Sequence, residues 1–341
     1  MREWVAWCLL ACACPSIAIG QSPIDDAPLA PDARFAFAVV ASDTSADERQ
    51  TSSLLRAVGD GAARFVVHFE RSAPSSASCT DALLDRRRTL LDASVRPLVP
   101  VVSTSSWADC GGANVDPVER LQRVDDVFFG SDESLGQTRM PWLRQSAIAR
   151  FHRYRENLRW QEGRVLFATL NLPDNNNAFR IGAGRNGEFE ERAIANRAWL
   201  ERTFRLAIER RALGVVLFVD ASPRFVAPLR APDLRARERD GYYEWKVALR
   251  DAMSTYKGRV LLVQNRHAQV ADRTAEVDYP LHDATGRVVE RLARVAAPDA
   301  GDASRWMRVD VDPASPQLFT VSIERVFDDP SGELYGPARV K

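Results

Sequence analysis

Residues 34–42, RFAFAVVAS, set the pattern from which the fold is read, and two similar stretches follow at 62–69 (AARFVVHF) and 96–103 (RPLVPVVS). Each is nearly continuous in apolar residues, as expected of a strand covered on both faces rather than one. Helical spacing fills the intervals, at 51–58 and 80–93. A β-α-β-α-β order implies a largely parallel sheet with covering helices, because parallel neighbours need a crossover between them.

A second alternating set lies downstream. Residues 117–129 predict a helix, with Asp116 as N-cap and Pro117 in the first turn, where its missing N–H costs nothing. Residues 164–172 (RVLFATLNL), 214–220 (GVVLFVD) and 259–264 (RVLLVQ) predict strands. Helices are expected at 188–212, with a stripe of Ala193, Leu200, Phe204, Ala207 and Ile208, and near 241–256. Residues 305–311 and 318–326 alternate and read as an antiparallel pair with one wet face. There is no internal repeat, low-complexity tract or marked linker. The expected organisation is a signal peptide over 1–20, a flexible Pro-, Asp- and Ala-rich lead-in over 21–33, and one α/β domain over 34–341.

The bulk properties narrow the function classes. The chain has 341 residues, with 46 Lys and Arg against 46 Asp and Glu, so its formal net charge is zero. Nothing in that balance draws it onto nucleic acid or an anionic membrane. The densest cationic run, Arg86–Arg88, reads as the wet face of a helix. At the N-terminus Arg2 precedes an apolar run that ends at Gly20 and is broken by Pro15, the layout of a secretory signal peptide. A competing reading takes Leu9-Leu10-Ala11-Cys12 as a lipobox, with lipid attached at Cys12. Either reading expects an exported protein, periplasmic or extracellular, with no membrane span after signal removal. Of five cysteines, Cys79 and Cys110 remain after residue 20. An even pair in an oxidising compartment is expected to form a disulfide, worth roughly 3–4 kcal/mol for a loop of about 30 residues.

Chemistry in open α/β folds gathers beyond the carboxyl ends of the strands. There the sequence places Ser42-Asp43-Thr44, Glu70-Arg71-Ser72, Ser103 to Cys110 (STSSWADC) and Asn265-Arg266-His267-Ala268. This order, with Tyr154 to Trp160 (YRENLRW), Asn175-Asn176-Asn177 and Val309 to Pro313 (VDVDP), resembles the calcineurin-like metallophosphoesterases, in particular an exported bacterial branch. The resemblance runs from about residue 34 to residue 326. It implies the calcineurin-like phosphoesterase fold, two packed mixed β-sheets flanked by helices in an α/β/β/α sandwich. It also implies a centre of two metal ions clamping a phosphate and activating a water.

The ligands that such a centre needs are largely replaced. Asp43 stands at the first ligand position, but the second Gly-Asp is Glu70-Arg71. The Gly-Asp-Asn-Glu element is Ser103-Thr104-Ser105-Ser106, and the late His-Gly-Asp-Thr-His element is Gln264-Asn265-Arg266-His267-Ala268. An arginine is always ionised, and at ~4 Å and an effective dielectric of about 20 its repulsion with a metal ion is worth several kcal/mol. The expectation is therefore a degenerate member with no resident metal. Its pocket, formed by Asp43, Glu70, Arg71, Ser105, Asn171, Asn175, Asp220, Arg266 and His267, would bind a phosphate-containing or other anionic small molecule, or an envelope protein.

The alternative is an active phosphoesterase with a rearranged site of Asp43, Glu70, Asp220 and His267 holding a divalent metal (Mn, Fe or Zn), with Asp43 and His267 catalytic. A third reading is a structural envelope protein with an occluded pocket. Several bland roles compete at single positions: Asp43 in a salt bridge with Arg71 or Arg266, His68 as a satisfied core residue, the Asn run as turn chemistry and Trp107 as packing. Other reactive schemes lack their motifs, with no GxSxG, phosphate-binding loop, HExxH or CxxC after residue 20.

Overall fold

The structure is a computed structural model that describes residues 33–43, 48–71, 80–108, 116–179, 187–223, 225, 240–266, 281–283, 285–328 and 334–335. The signal peptide, the lead-in up to residue 32, the Cys79–Cys110 pair and His267 lie outside the described residues, as does the side chain of Arg71.

The apolar runs form the central strands of two sheets. In the first, β1 (Phe35–Asp43), β2 (Ala63–Arg71) and β3 (Leu98–Val101) run parallel. The antiparallel pair β10 (Arg305–Val311) and β11 (Phe319–Arg325) extends it, giving the order β11-β10-β1-β2-β3. The second sheet has the order β4-β5-β6-β7-β8-β9. Its parallel part is β6 (Val165–Leu170), β7 (Gly214–Val219), β8 (Arg259–Gln264) and β9 (Leu292–Ala296). The antiparallel strands β5 (Leu158–Glu162) and β4 (Leu143–Arg144) complete it. A two-residue pair, β12 (Phe327–Asp328) and β13 (Leu334–Tyr335), stands apart. Both sheets are mixed, and sequence reading missed β4, β5 and β9.

Period-two alternation sorts the second sheet's side chains. Leu166, Ala168 and Leu170 join Trp199, Leu200 and Leu249 in a core beneath helices α4 (Gly187–Glu209) and α5 (Tyr243–Thr255). Phe167, Val216, Phe218, Leu261 and Val263 point the other way, into the core shared with the first sheet. There Phe65 stands edge-on to Trp160 and Phe167, and Phe37 edge-on to Phe167 and Phe218. The expected α/β/β/α sandwich is thus what the chain forms.

Helix α1 (Glu48–Asp60) buries Thr51, Leu54, Leu55 and Val58, one stripe of a 3.6-residue period. Helix α2 (Asp81–Asp92) is capped by Thr80 and buries Leu84, Arg87 and Leu91. Helix α3 (Pro117–Phe128) opens as expected, with the Asp116 carboxylate accepting from the Val118 N–H at 2.8 Å and proline in the first turn. Among the described residues no helix is long and apolar enough to cross a membrane.

Candidate ligand cleft and sheet clasp

The parallel strands of both sheets end on one rim, and hydrogen bonds tie the two sets of ends together. Asp220, directly after β7, is 1% exposed. Its Oδ2 accepts from the backbone N–H of Thr104 at 2.8 Å and from the Thr104 hydroxyl at 2.7 Å, both from the turn after β3. Its Oδ1 accepts from Asn265 Nδ2 at 2.8 Å, and the same amide group donates to the Glu70 carbonyl at 2.8 Å. The Thr104 Oγ1 also accepts from the Asp174 N–H at 2.7 Å. Strand ends of β2, β3, β7 and β8 are thereby joined through three side chains.

A cleft opens beside this clasp, lined among others by Ser42, Asp43, Thr51, His68, Glu70 and Arg87. The Glu70 carboxylate pairs with Arg87 and accepts from the Ser106 hydroxyl at 3.1 Å. His68 is buried, with its Nε2 2.8 Å from the Ser42 hydroxyl. Burial, reinforced by the neighbouring Arg87 cation, lowers its pKa to about 3, so the ring is neutral at ordinary pH. Arg87 is 9% exposed. Its Nη1 meets Glu70, whereas Nε and Nη2 have no hydrogen-bond partner. Burial pulls the Arg87 pKa below the usual guanidinium range, against the field of Glu70, and the group stays charged.

Comparison with known proteins adds a likeness of shape. No family model and no curated protein matches the chain. The structure of PhoD is similar, with a TM-score of 0.47 and 10% identity over 92% of this chain and 73% of that chain.

The sequence-derived site residues separate into three places. Asp43 and Glu70 line the cleft, and Asp43 is in register with Arg71 across β1 and β2. Asp220 lies in the clasp, and the Ser105 hydroxyl is 2.9 Å from that of Ser103 in the neighbouring turn. Asn171 and Asn175 sit elsewhere. Asn171 donates to Glu156 Oε1 at 2.8 Å and its carbonyl accepts from Asn196. Asn175 begins a run of left-handed backbone, with φ of 56°, 57°, 59° and 53° through Ala178. Asparagine tolerates that conformation, and the side chains of Asn176 and Asn177 hold Gly241. Arg266 is exposed and its Nε donates to the Ala297 carbonyl at 3.3 Å. Its guanidinium is not among the groups lining the cleft. Trp107 is fully packed, with Arg192 5.7 Å from its ring centre.

Two of the four expected metal donors are held by protein partners. Glu70 is engaged by Arg87 and Ser106, and Asp220 by Thr104 and Asn265. Among the described residues no group of three or more His, Cys, Asp or Glu side chains is placed to hold a metal ion.

Arg87 is the cleft residue that sequence reading missed. The Arg86–Arg88 run is not one wet face: Arg86 is exposed and pairs with Glu48, Arg88 donates to the Val127 carbonyl, and Arg87 turns inward. The signal was its spacing, three residues after Leu84 and four before Leu91 on the buried stripe.

Proposed function

We propose that the chain is a non-catalytic protein on a phosphoesterase-like scaffold, and that it binds a phosphate or carboxylate group in the cleft beside Arg87. The observation that carries this reading is the pairing at the strand ends. Glu70 and Asp220, two of the acids a metal centre would use, are already hydrogen-bonded to protein donors, while Arg87 keeps two N–H groups unengaged. Nε and Nη2 form the side-on edge of a guanidinium, which matches two oxygens of one anion. Two acids of the cleft are offset, Glu48 by Arg86 at 3.3 Å and Glu70 by Arg87. The neutral His68 and the Ser42 hydroxyl add polar groups without charge.

The test is titration of inorganic phosphate into chelator-treated mature protein by calorimetry. Binding is expected to survive the chelator and to weaken at least tenfold in Arg87→Lys, which keeps the charge and loses the fork. Equal affinity in both proteins overturns the ligand assignment. Metal content and hydrolysis of p-nitrophenyl phosphate with added manganese, iron or zinc are measured in parallel. Two bound metal equivalents, with hydrolysis lost in Asp43→Asn, overturn the non-catalytic reading.

A further inference from the structure

Strand β11 is one edge of the first sheet, and its outer side has no neighbouring strand among the described residues. The opposite edge differs: β3 is closed by Leu135, whose N–H and carbonyl bond to Leu98 at 2.9 and 2.8 Å. The β10–β11 register runs unbroken from Arg305↔Arg325 to Val311↔Phe319. Beyond its two ends, the Val326 N–H reaches the Ser304 carbonyl at 2.7 Å and the Asp312 N–H reaches the Leu318 carbonyl at 2.9 Å. Antiparallel ladders alternate bonded and non-bonded pairs, so the even-numbered residues of β11 bond inward to β10. The backbone groups of Val321 and Ile323 therefore point out of the sheet, and they have no partner among the described residues.

The side chains of the same two residues are 37% and 41% exposed. They share a face with Val309 and Met307, their partners on β10, which are buried in the core between the sheets. The apolar layer thus runs off the edge of the sheet. Edges are commonly blunted by lysine, proline or a bulge, and Phe319–Arg325 has none of these.

We propose that β11 pairs with β11 of a second copy of this chain, antiparallel about a two-fold axis through Ser322. In that register Val321 stands opposite Ile323 of the partner subunit, and both are outward-bonding residues, so they exchange N–H and carbonyl bonds in both directions. The four apolar side chains join Val309 and Met307 of each copy in one stripe across the axis. Thr320 stands opposite Glu324 of the partner subunit, and Arg325 opposite the partner subunit's Phe319, a cation beside an aromatic ring. No like charges face each other. The occupant is a copy of the chain because all seven positions of the strand match in this one register. A strand pair of this length buries less than a standard interface, which sets the dissociation constant at about 10–100 µM.

The experiment is sedimentation equilibrium of the purified protein below, across and above that range, where a monomer–dimer equilibrium is expected. Ile323→Pro removes an outward N–H and no ladder bond, and Val321→Lys puts a charge into the stripe. Each should raise the dissociation constant at least tenfold. A wild type that stays monomeric, or a dimer that either substitution leaves unchanged, overturns the pairing. Oxidation of two cysteine variants tests the register. In Ser322→Cys the new thiols meet on the axis, where Cα atoms of a non-bonded pair are ~4.5 Å apart and a disulfide fits, whereas in Thr320→Cys the thiol faces Glu324 of the partner subunit. Ser322→Cys should cross-link into dimers and Thr320→Cys should not; equal cross-linking refutes the axis. Should the proline or lysine variant fail to fold, as read by circular dichroism, the comparison of the two cysteine variants decides alone.

Discussion

Thr104 and Asp220 face each other across the seam between the two sheets, with the backbone N–H and the hydroxyl of the threonine both directed at one carboxylate oxygen, at 2.8 and 2.7 Å. With the second oxygen held by Asn265, the aspartate serves as a structural acceptor at a strand end. Truncation strands several buried donors at once, each worth about 1–3 kcal/mol when unpaired. Asp220→Ala is expected to lower unfolding stability by about 3 kcal/mol in urea denaturation. Asp220→Asn, which keeps one acceptor, should lose less. A null effect of Asp220→Ala would show that the seam is held elsewhere.

Glu70 and Arg87 form a pair whose side chains are about nine-tenths buried. Removing one partner of such a pair costs about 3–5 kcal/mol, while replacing both by apolar groups of similar size is often neutral. Glu70→Leu alone should therefore be strongly destabilising, and Glu70→Leu with Arg87→Met should recover most of the loss. A double-mutant cycle on unfolding free energies measures this; simple additivity would show that the two groups do not act as a pair.

Helix α4 ends on Arg211, whose φ of 50° places it in the left-handed region. The Ala212 N–H reaches the Ala207 carbonyl at 2.8 Å and the Arg211 N–H the Ile208 carbonyl at 3.1 Å, a Schellman closure in which glycine is the usual residue. A side chain there costs about 1–2 kcal/mol, partly offset by the entropy that glycine loses on folding. Arg211→Gly should raise stability by about 0.5–1 kcal/mol, read as a higher thermal midpoint.

His68 imposes a pH dependence on the stability of the fold. Its folded pKa of about 3 lies below the ordinary value of 6.5, so the unfolded chain binds a proton that the native state refuses. Stability from this residue is present above pH 6.5 and falls as the pH drops toward 3. His68→Gln, which can keep the Ser42 contact, should flatten the acid limb of the stability profile below pH 6.5 relative to the wild type. An unchanged acid limb would place the sensitivity in another group.

Six of the strands that sequence reading found share one cause: β1 to β3 and β6 to β8 are apolar runs, and their composition alone marks them, whereas β10 and β11 are marked by alternation. Strand β5 escaped because LRWQE contains a buried cation, Arg159, whose cost is offset by stacking 4.9 Å over Trp199, a partner 40 residues on. Edge strand β9 escaped because LARVA is half exposed and lacks the continuous apolar signal. At the rim, residue types were legible but their partners were not. Asp220 and Asn265 stand out as polar groups after apolar strands, yet their roles depend on Thr104 and Glu70, more than a hundred residues away in sequence. The arginine expected at the cleft from Arg266 turns instead to Ala297, and a helix supplies Arg87.

Trp160 lies parallel to Phe167 and to Phe218, at 5.4 and 5.9 Å between ring centres, and edge-on to Phe65 of the opposite sheet at 5.6 Å. Flat rings interlocked in this way resist sliding, since any lateral step breaks several close contacts together. The two layers are pinned at the middle like a pair of riveted plates, and their upper edges keep a fixed separation. The strand ends that Asp220, Thr104 and Asn265 join therefore stand over a base that does not slip, and the seam they close stays in one alignment.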